Sequence, residues 1–275
     1  MDVLATKRAR RAENKVITIA HVNAHGIKQK KQQIKQFLED TNAEILGASE
    51  THCSETDLLP SIDGYSWLHN PGSERSSGVG ILFKKRLVTG ETKLFMKGRI
   101  VGISIANLTV IEAYSPVEGD GETLEQFYEG INEALAWGRE RKEQLIIIGD
   151  LNAHVEGWWS EKTNENGYRV KRLCKEWGLE LLKLDEPTHL HSSGSTFCLD
   201  YCAADWGVIG RVIDFGCSKN NPIGSDHLPI TLKLWERWEK ERMQFVRKLR
   251  IDRLRSPVYL KVFQDDVNYD LKRLD

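Results

Sequence analysis

The sequence predicts an α/β protein, and three observations lead there. Short apolar, β-branched runs such as VITIAHVN and QLIIIGD alternate with segments of helical period and are bounded by Gly, Pro, Asn and Asp. The first such run, a polar amphipathic segment and a second run together read as a strand–helix–strand unit, which places neighbouring strands in one sheet. A chain of 275 residues with 40% apolar content can bury a large core, so one main domain with an appendage is expected.

The first 14 residues are polar, with Lys7, Arg8, Arg10 and Arg11 close together, and read as a flexible basic arm. VITIAHVN is the first strand, ending at Asn23; KQKKQQIKQFLEDT follows as a helix with Ile34, Phe37 and Leu38 on one face; EILGAS is a second buried strand ending at Glu50. GVGILFKKRL, GRIVGISIA and LTVIEAY read as further strands. The turn-rich SPVEGDGET opens the helix TLEQFYEGINEALAWG. QLIIIGDLNAH is a short apolar strand that stops at a polar cluster. A helix around YRVKRLCKEWG, paired strands at TFCLDYCAA and GVIGRVIDF, and a last strand LPITLKL complete a domain over 15–234. From 235 to 275 the character changes: Trp235, Trp238, Phe245 and Leu249 recur at near-helical spacing until Pro257, which reads as a helical extension or linker.

The formal charge of −1 leaves any nucleic-acid affinity to local clusters: Lys28, Lys30, Lys31 and Lys35 on the first helix, or Lys84, Lys85 and Arg86 after a strand. Each is also readable as an ordinary solvated face. The cysteines Cys53, Cys174, Cys198, Cys202 and Cys217 are odd in number and lack CxxC spacing, which argues against a zinc site or disulfide framework and for a reducing, intracellular setting. No run approaches the ~18 apolar residues of a membrane span, and the N-terminus has no secretory apolar region.

Five strand candidates finish at polar residues suited to a divalent ion and a phosphate: Asn23, Glu50, Asp150 with Asn152, Asp200, and Asp226 with His227. Phosphodiester hydrolysis uses such a set. Hard carboxylate oxygens hold Mg2+, which offsets charge on the transition state and departing alkoxide. A buried carboxylate such as Asp150 can take a proton from water, and a His–Asp pair can present a cationic donor. Amides such as Asn23 and Asn152 hold ligands or phosphate oxygens without adding charge.

GDLNAH at 149–154 and GSDHLPI at 224–230, with SET at 49–51 and VIEAYSP at 110–116, resemble the endonuclease/exonuclease/phosphatase superfamily across roughly 16–234. The resemblance implies a DNase I-like, four-layer α/β/β/α sandwich of two mainly antiparallel sheets flanked by helices. It implies Glu50 as a metal ligand with Asn23 and Asp226 nearby, Asp150 orienting or deprotonating water, and Asn152 bonding the phosphate. Tyr114 would donate to the phosphate or leaving oxygen, and Asp200 would fix His227. The cofactor implied is Mg2+, with Mn2+ as a substitute.

Within the superfamily the chain is similar to the apurinic-like endonuclease domains of non-LTR (LINE-type) retrotransposons. That implies a nuclear enzyme nicking double-stranded DNA to leave a 3′-hydroxyl primer, ahead of a reverse transcriptase in one polyprotein. The alternatives are another phosphoesterase of the superfamily (apurinic repair, RNA, inositol or lipid) or a catalytically silent binding module. One departure stands out: NAHG places His25 where apurinic endonucleases usually have Asp, removing a carboxylate from the metal network. Candidates for touching substrate are Arg75 in the 73–78 loop, Ser192 and Ser193 in the 191–196 loop, and Trp158 of the exposed-looking Trp158–Trp159 pair; packing is the alternative role for the tryptophans.

Overall fold

A computed structural model describes residues 16–72, 77–87, 90–119, 121–218 and 221–235. The basic arm, Arg75 and the helix expected beyond Trp235 lie outside the described residues.

The first sheet is assembled from β1 (Val16–Asn23), β2 (Ile45–Ser49), β3 (Tyr65–Asn70) and β4 (Val79–Lys84), with α1 (Lys31–Thr41) crossing from β1 to β2. The chain then enters the second sheet through β5 (Thr92–Leu94), β6 (Ile100–Ile105) and β7 (Leu108–Tyr114), and α2 (Gly121–Glu140) crosses to β8 (Gln144–Asp150). After α3 (Glu165–Trp177) come β9 (Leu179–Leu182), a small hairpin of β10 (His189–Leu190) and β11 (Thr196–Phe197), then β12 (Asp200–Asp205) and the single-turn α4 (Trp206–Ile209). β13 (Val212–Cys217) and β14 (Ile230–Trp235) return to the first sheet.

The strand orders are β13-β14-β1-β2-β4-β3 and β5-β6-β7-β8-β12-β9. Each sheet has one parallel pair at its centre, β1 with β2 and β7 with β8, and antiparallel pairing elsewhere. The reason is local: each parallel pair is joined by a helix, the connection that lets two strands run the same way. Ile34, Phe37 and Leu38 seat α1 on Ala20, Val22, Leu46 and Leu82 of the first sheet. α2 covers the second sheet with Leu124, Phe127, Ile131 and Leu135, giving the four-layer sandwich. Asn164 caps α3 by accepting the Gly167 N–H at 2.8 Å, and Gly178, at φ +66, ends it in the left-handed region open to glycine.

Three expectations are corrected. TFCLDYCAA and GVIGRVIDF are not partners: β12 pairs with β8 and β9 in the second sheet, while β13 pairs with β14 in the first. The start of the second segment is α4 rather than strand, the turn by which the chain changes sheets. Asp200 and His227 also do not close strands; Asp200 opens β12 and His227 precedes β14. Antiparallel strands begin where their neighbours end, so both still reach the rim at which β1, β2, β7 and β8 finish.

Candidate active site

The two parallel pairs deliver the first residues. Asn23 is the last residue of β1 and Glu50 follows β2; Tyr114 and Asp150 are register partners at the ends of β7 and β8. Stacking the sheets brings the four together. The Asn23 amide nitrogen donates to Glu50 Oε1 and Asp150 Oδ2, both at 2.9 Å, and so bridges the sheets. The Tyr114 hydroxyl donates to Glu50 Oε1 at 2.8 Å. Burial, then the nearby Glu50 and Asp150 charges, raise the Tyr114 pKa, so it stays a neutral donor. The Asn23 oxygen accepts the His25 N–H at 3.2 Å. The Asn23 amide thus ties the two carboxylates to each other across the sheets.

Asp200 is the register partner of Asp150, and its two oxygens divide between two imidazoles: Oδ2 with His227 Nδ1 at 2.8 Å, Oδ1 with His21 Nε2 at 2.9 Å. His227 Nε2 is left facing the rim, 4.0 Å from Asp150 Oδ2. Burial works against charge on His227, but Asp200, Asp150 and Asp226 outweigh it and raise its pKa to about 9. For Asp200 burial is likewise outweighed, by His227 and His21, which hold it well below the usual carboxylate range. Asp150 moves the other way: burial and the Asp200 charge push it above that range. An acid held protonated thus faces a carboxylate whose proton affinity is enhanced, the pairing that acid–base work requires.

Asn152 sits in the left-handed region, φ +46, with its N–H on Asp150 Oδ1 at 3.0 Å and its side-chain nitrogen on the Ser115 carbonyl at 2.8 Å. Glu50 shares this backbone state, φ +47. Such values are uncommon outside glycine and store strain where loops must turn sharply at a site.

Glu50 and Asp150 share one amide at a partly open rim. This concentration of hard oxygen and negative charge fits a divalent cation. Glu50 Oε2 also lies 3.3 Å from His52 Nε2 and 3.6 Å from His25 Nδ1, so two imidazoles border this carboxylate. Asp226 is half exposed, with its carboxylate 3.6 Å from His189 Nε2 and close to Ser225. The His189 ring lies 4.6 Å from that of His227, and the hairpin base is tied on by Leu190 N to Asp226 O and Leu228 N to Thr188 O.

Around the rim, an open cleft of about 1180 Å³ lies between the 154–164 loop and the β10–β11 hairpin, lined by His154, Trp159, Lys183, Ser195 and Phe197 among others. Of the two roles left open for the tryptophan pair, Trp158 packs: it stacks on buried Tyr201, with ring centroids 6.1 Å apart, while Trp159 faces the cleft. Ser192 and Ser193 are exposed in the hairpin turn, where Ser193 is bonded to His191 and Ser195. Of the basic cluster expected on the first helix, Lys28 and Lys30 precede α1; Lys28 pairs with Asp57 and Lys35 with Glu39, while Lys30 donates to the Ala24 carbonyl near the rim.

The family model described as the Endonuclease/Exonuclease/phosphatase family matches residues 20–227. The chain belongs to that family. Among curated relatives of this endonuclease/exonuclease/phosphatase member, a probable RNA-directed DNA polymerase from transposon X-element of Drosophila melanogaster is 24% identical over 77% of the chain and 23% of the relative. Craniofacial development protein 2 of Bos taurus is 33% identical over 44% of the chain and 22% of the relative. The chain thus spans under a quarter of these relatives. Among solved structures, the AP endonuclease LMAP from Leishmania major superposes with TM-score 0.67 at 17% identity, covering 81% of the chain and 89% of that structure. The 3′ phosphatase NExo from Neisseria, bound to a product DNA hairpin, gives 0.65 at 18%, covering 79% and 99%.

Sequence reasoning missed four residues that adjoin these side chains. His21 and Glu112 sit in apolar strands at positions where a hydrophobic residue is expected, a signal readable in VITIAHVN and VIEAY. Asn166 holds the Asn152 carbonyl at 3.2 Å from the start of α3, and His189 comes from the hairpin; neither carries a sequence signal of its own.

Proposed function

We propose that this protein is a Mg2+-dependent endonuclease that nicks double-stranded DNA for a non-LTR retrotransposon, leaving a 3′-hydroxyl to prime reverse transcription. The observation that carries the hydrolytic reading is the meeting of Glu50, Asp150 and the Asp200-anchored His227 at one rim. The transposon relative and the DNA-directed names of the similar structures support the substrate and setting. On this reading a reverse transcriptase of the same polyprotein is the partner and the nucleus the place of action.

Glu50, with Asp226 on the same rim, would hold a divalent cation that supplies positive charge to the phosphorane-like transition state and leaving oxygen. Asp150 orients water and accepts its proton, favoured by its raised proton affinity. His227 donates from Nε2 to the phosphate while Asp200 keeps Nδ1 protonated. Tyr114, at the end of β7, and Asn152, just after β8, would meet the phosphate from the other side.

Nicking of supercoiled plasmid tests this: wild type should cut in Mg2+, not after chelation, and Asp150→Asn should be inactive while folded. Equal cutting by the Asp150→Asn variant, or preference for soluble phosphomonoesters over plasmid, would overturn it.

A further inference from the structure

Behind the rim, the hydrogen-bonded chain continues into the core. β1 turns Ile17, Ile19, His21 and Asn23 toward the second sheet in strict alternation, so His21 occupies an inter-sheet position next to two isoleucines. β7 brings Glu112 there from the facing sheet. His21 Nδ1 lies 2.8 Å from Glu112 Oε1 and Nε2 lies 2.9 Å from Asp200 Oδ1, and all three side chains have 0% exposure. The Glu112 contact is an ion pair out of line with the ring N–H, and among the described residues neither Glu112 oxygen has a hydrogen-bond partner.

We propose that His21 and Glu112 are positioning residues for the rim: a buried arm that grips the inner oxygen of Asp200 so that its outer oxygen stays fixed on His227. This rests on the nuclease reading above for its functional consequence.

Stability does not account for the arm. Burying a carboxylate and an imidazole costs several kcal/mol per ion, and an apolar pair of similar volume is often as stable or more so. The surrounding chain nevertheless makes room for it. A Cβ on Gly47, on the facing β2, would lie 1.9 Å from Glu112 Oε2 and 2.6 Å from its Cδ, so glycine there is matched to this carboxylate. Carboxylates from two strands, Glu112 and Asp200, lie against the two ring nitrogens of His21. Glu112, His21, Asp200, His227 and Asp150 thus follow one another in a single line of contacts from the core to the rim. Each member orients the next with no proton transfer. Without His21, Asp200 Oδ1 would be a bare buried oxygen and the carboxylate would be free to turn from His227.

The test compares His21→Met, which fills space without a donor, His21→Gln, whose amide can still reach Asp200, and Glu112→Gln, which keeps the shape and removes the charge. Two quantities are measured on folded protein: single-turnover cleavage alongside DNA affinity, and the far-downfield His227 Nδ1–H proton resonance. His21→Met should lower the cleavage rate on the order of 10- to 100-fold with unchanged DNA affinity, and should shift or abolish the resonance. His21→Gln should recover most of both, and Glu112→Gln should fall between. Wild-type cleavage per folded molecule and an unmoved resonance in His21→Met and Glu112→Gln, whatever their melting temperatures, would overturn the proposal. If His21→Met does not fold, Glu112→Gln decides alone. If wild-type protein cuts no DNA, the nuclease reading fails, while the resonance still reports whether the arm holds the pair.

Discussion

Asp200→Asn isolates the buried carboxylate on which the rim depends. Its outer oxygen meets His227 at 2.8 Å and leads the contributions that lift that imidazole to about 9 from an ordinary 6.5. The gap corresponds to about 3 kcal/mol in favour of the imidazolium. With asparagine, burial remains and the main counter-charge is gone, so His227 returns to 6.5 or lower. At pH 7.5 its protonated fraction then drops from nearly all to roughly one in ten or less. The amide can also turn its NH2 toward Nδ1 and favour the wrong tautomer, so a total loss on the order of 10²- to 10⁴-fold in single-turnover nicking is expected. The sign follows from a raised folded-state value: the protonated donor is present below it and lost as pH rises through it. Wild type should therefore lose activity near pH 9, and the variant from about pH 6.5 or below, so its deficit should shrink as pH is lowered toward 6. Plasmid nicking measured from pH 6 to 9 checks this. A wild-type rate, or a deficit independent of pH, would refute the role given to Asp200.

Glu50→Gln should weaken Mg2+ or Mn2+ binding by at least on the order of tenfold by calorimetry with the melting temperature little changed, because it removes the charge at the open side of the site. His25→Asp should do the reverse, tightening Mg2+ on the order of tenfold by placing a carboxylate where the imidazole now lies 3.6 Å from Glu50. Gly47→Ala should cost about 1–3 kcal/mol in urea denaturation because its Cβ meets the Glu112 carboxylate. Adding Glu112→Ala should make the double variant more stable than the sum of the two single losses, with a coupling of about 0.5–3 kcal/mol.

Local pattern carried much of the reading. Each helix-linked strand pair could be recognised because its strands are short and densely apolar, VITIAHVN with EILGAS and LTVIEAY with QLIIIGD, and the polar residues that matter stand directly after them. Partnering was harder: TFCLDYCAA and GVIGRVIDF are neighbours in sequence but end in different sheets, since only the cores each can join, together with the α4 turn between them, decide where a strand pairs.

By itself, then, the sequence determined the α/β class, the first strand–helix–strand unit and the identity of the polar groups beside the strands, because propensity, period and motif are written within a few residues. Only the tertiary structure decided that Asn23 spans two carboxylates, that Trp158 packs while Trp159 faces the cleft, and that Glu112, His21 and Asp200 form one buried line. Those facts depend on which faces of two sheets meet and at what register, and contacts between residues as far apart as His21 and Asp200 leave no local trace in either strand.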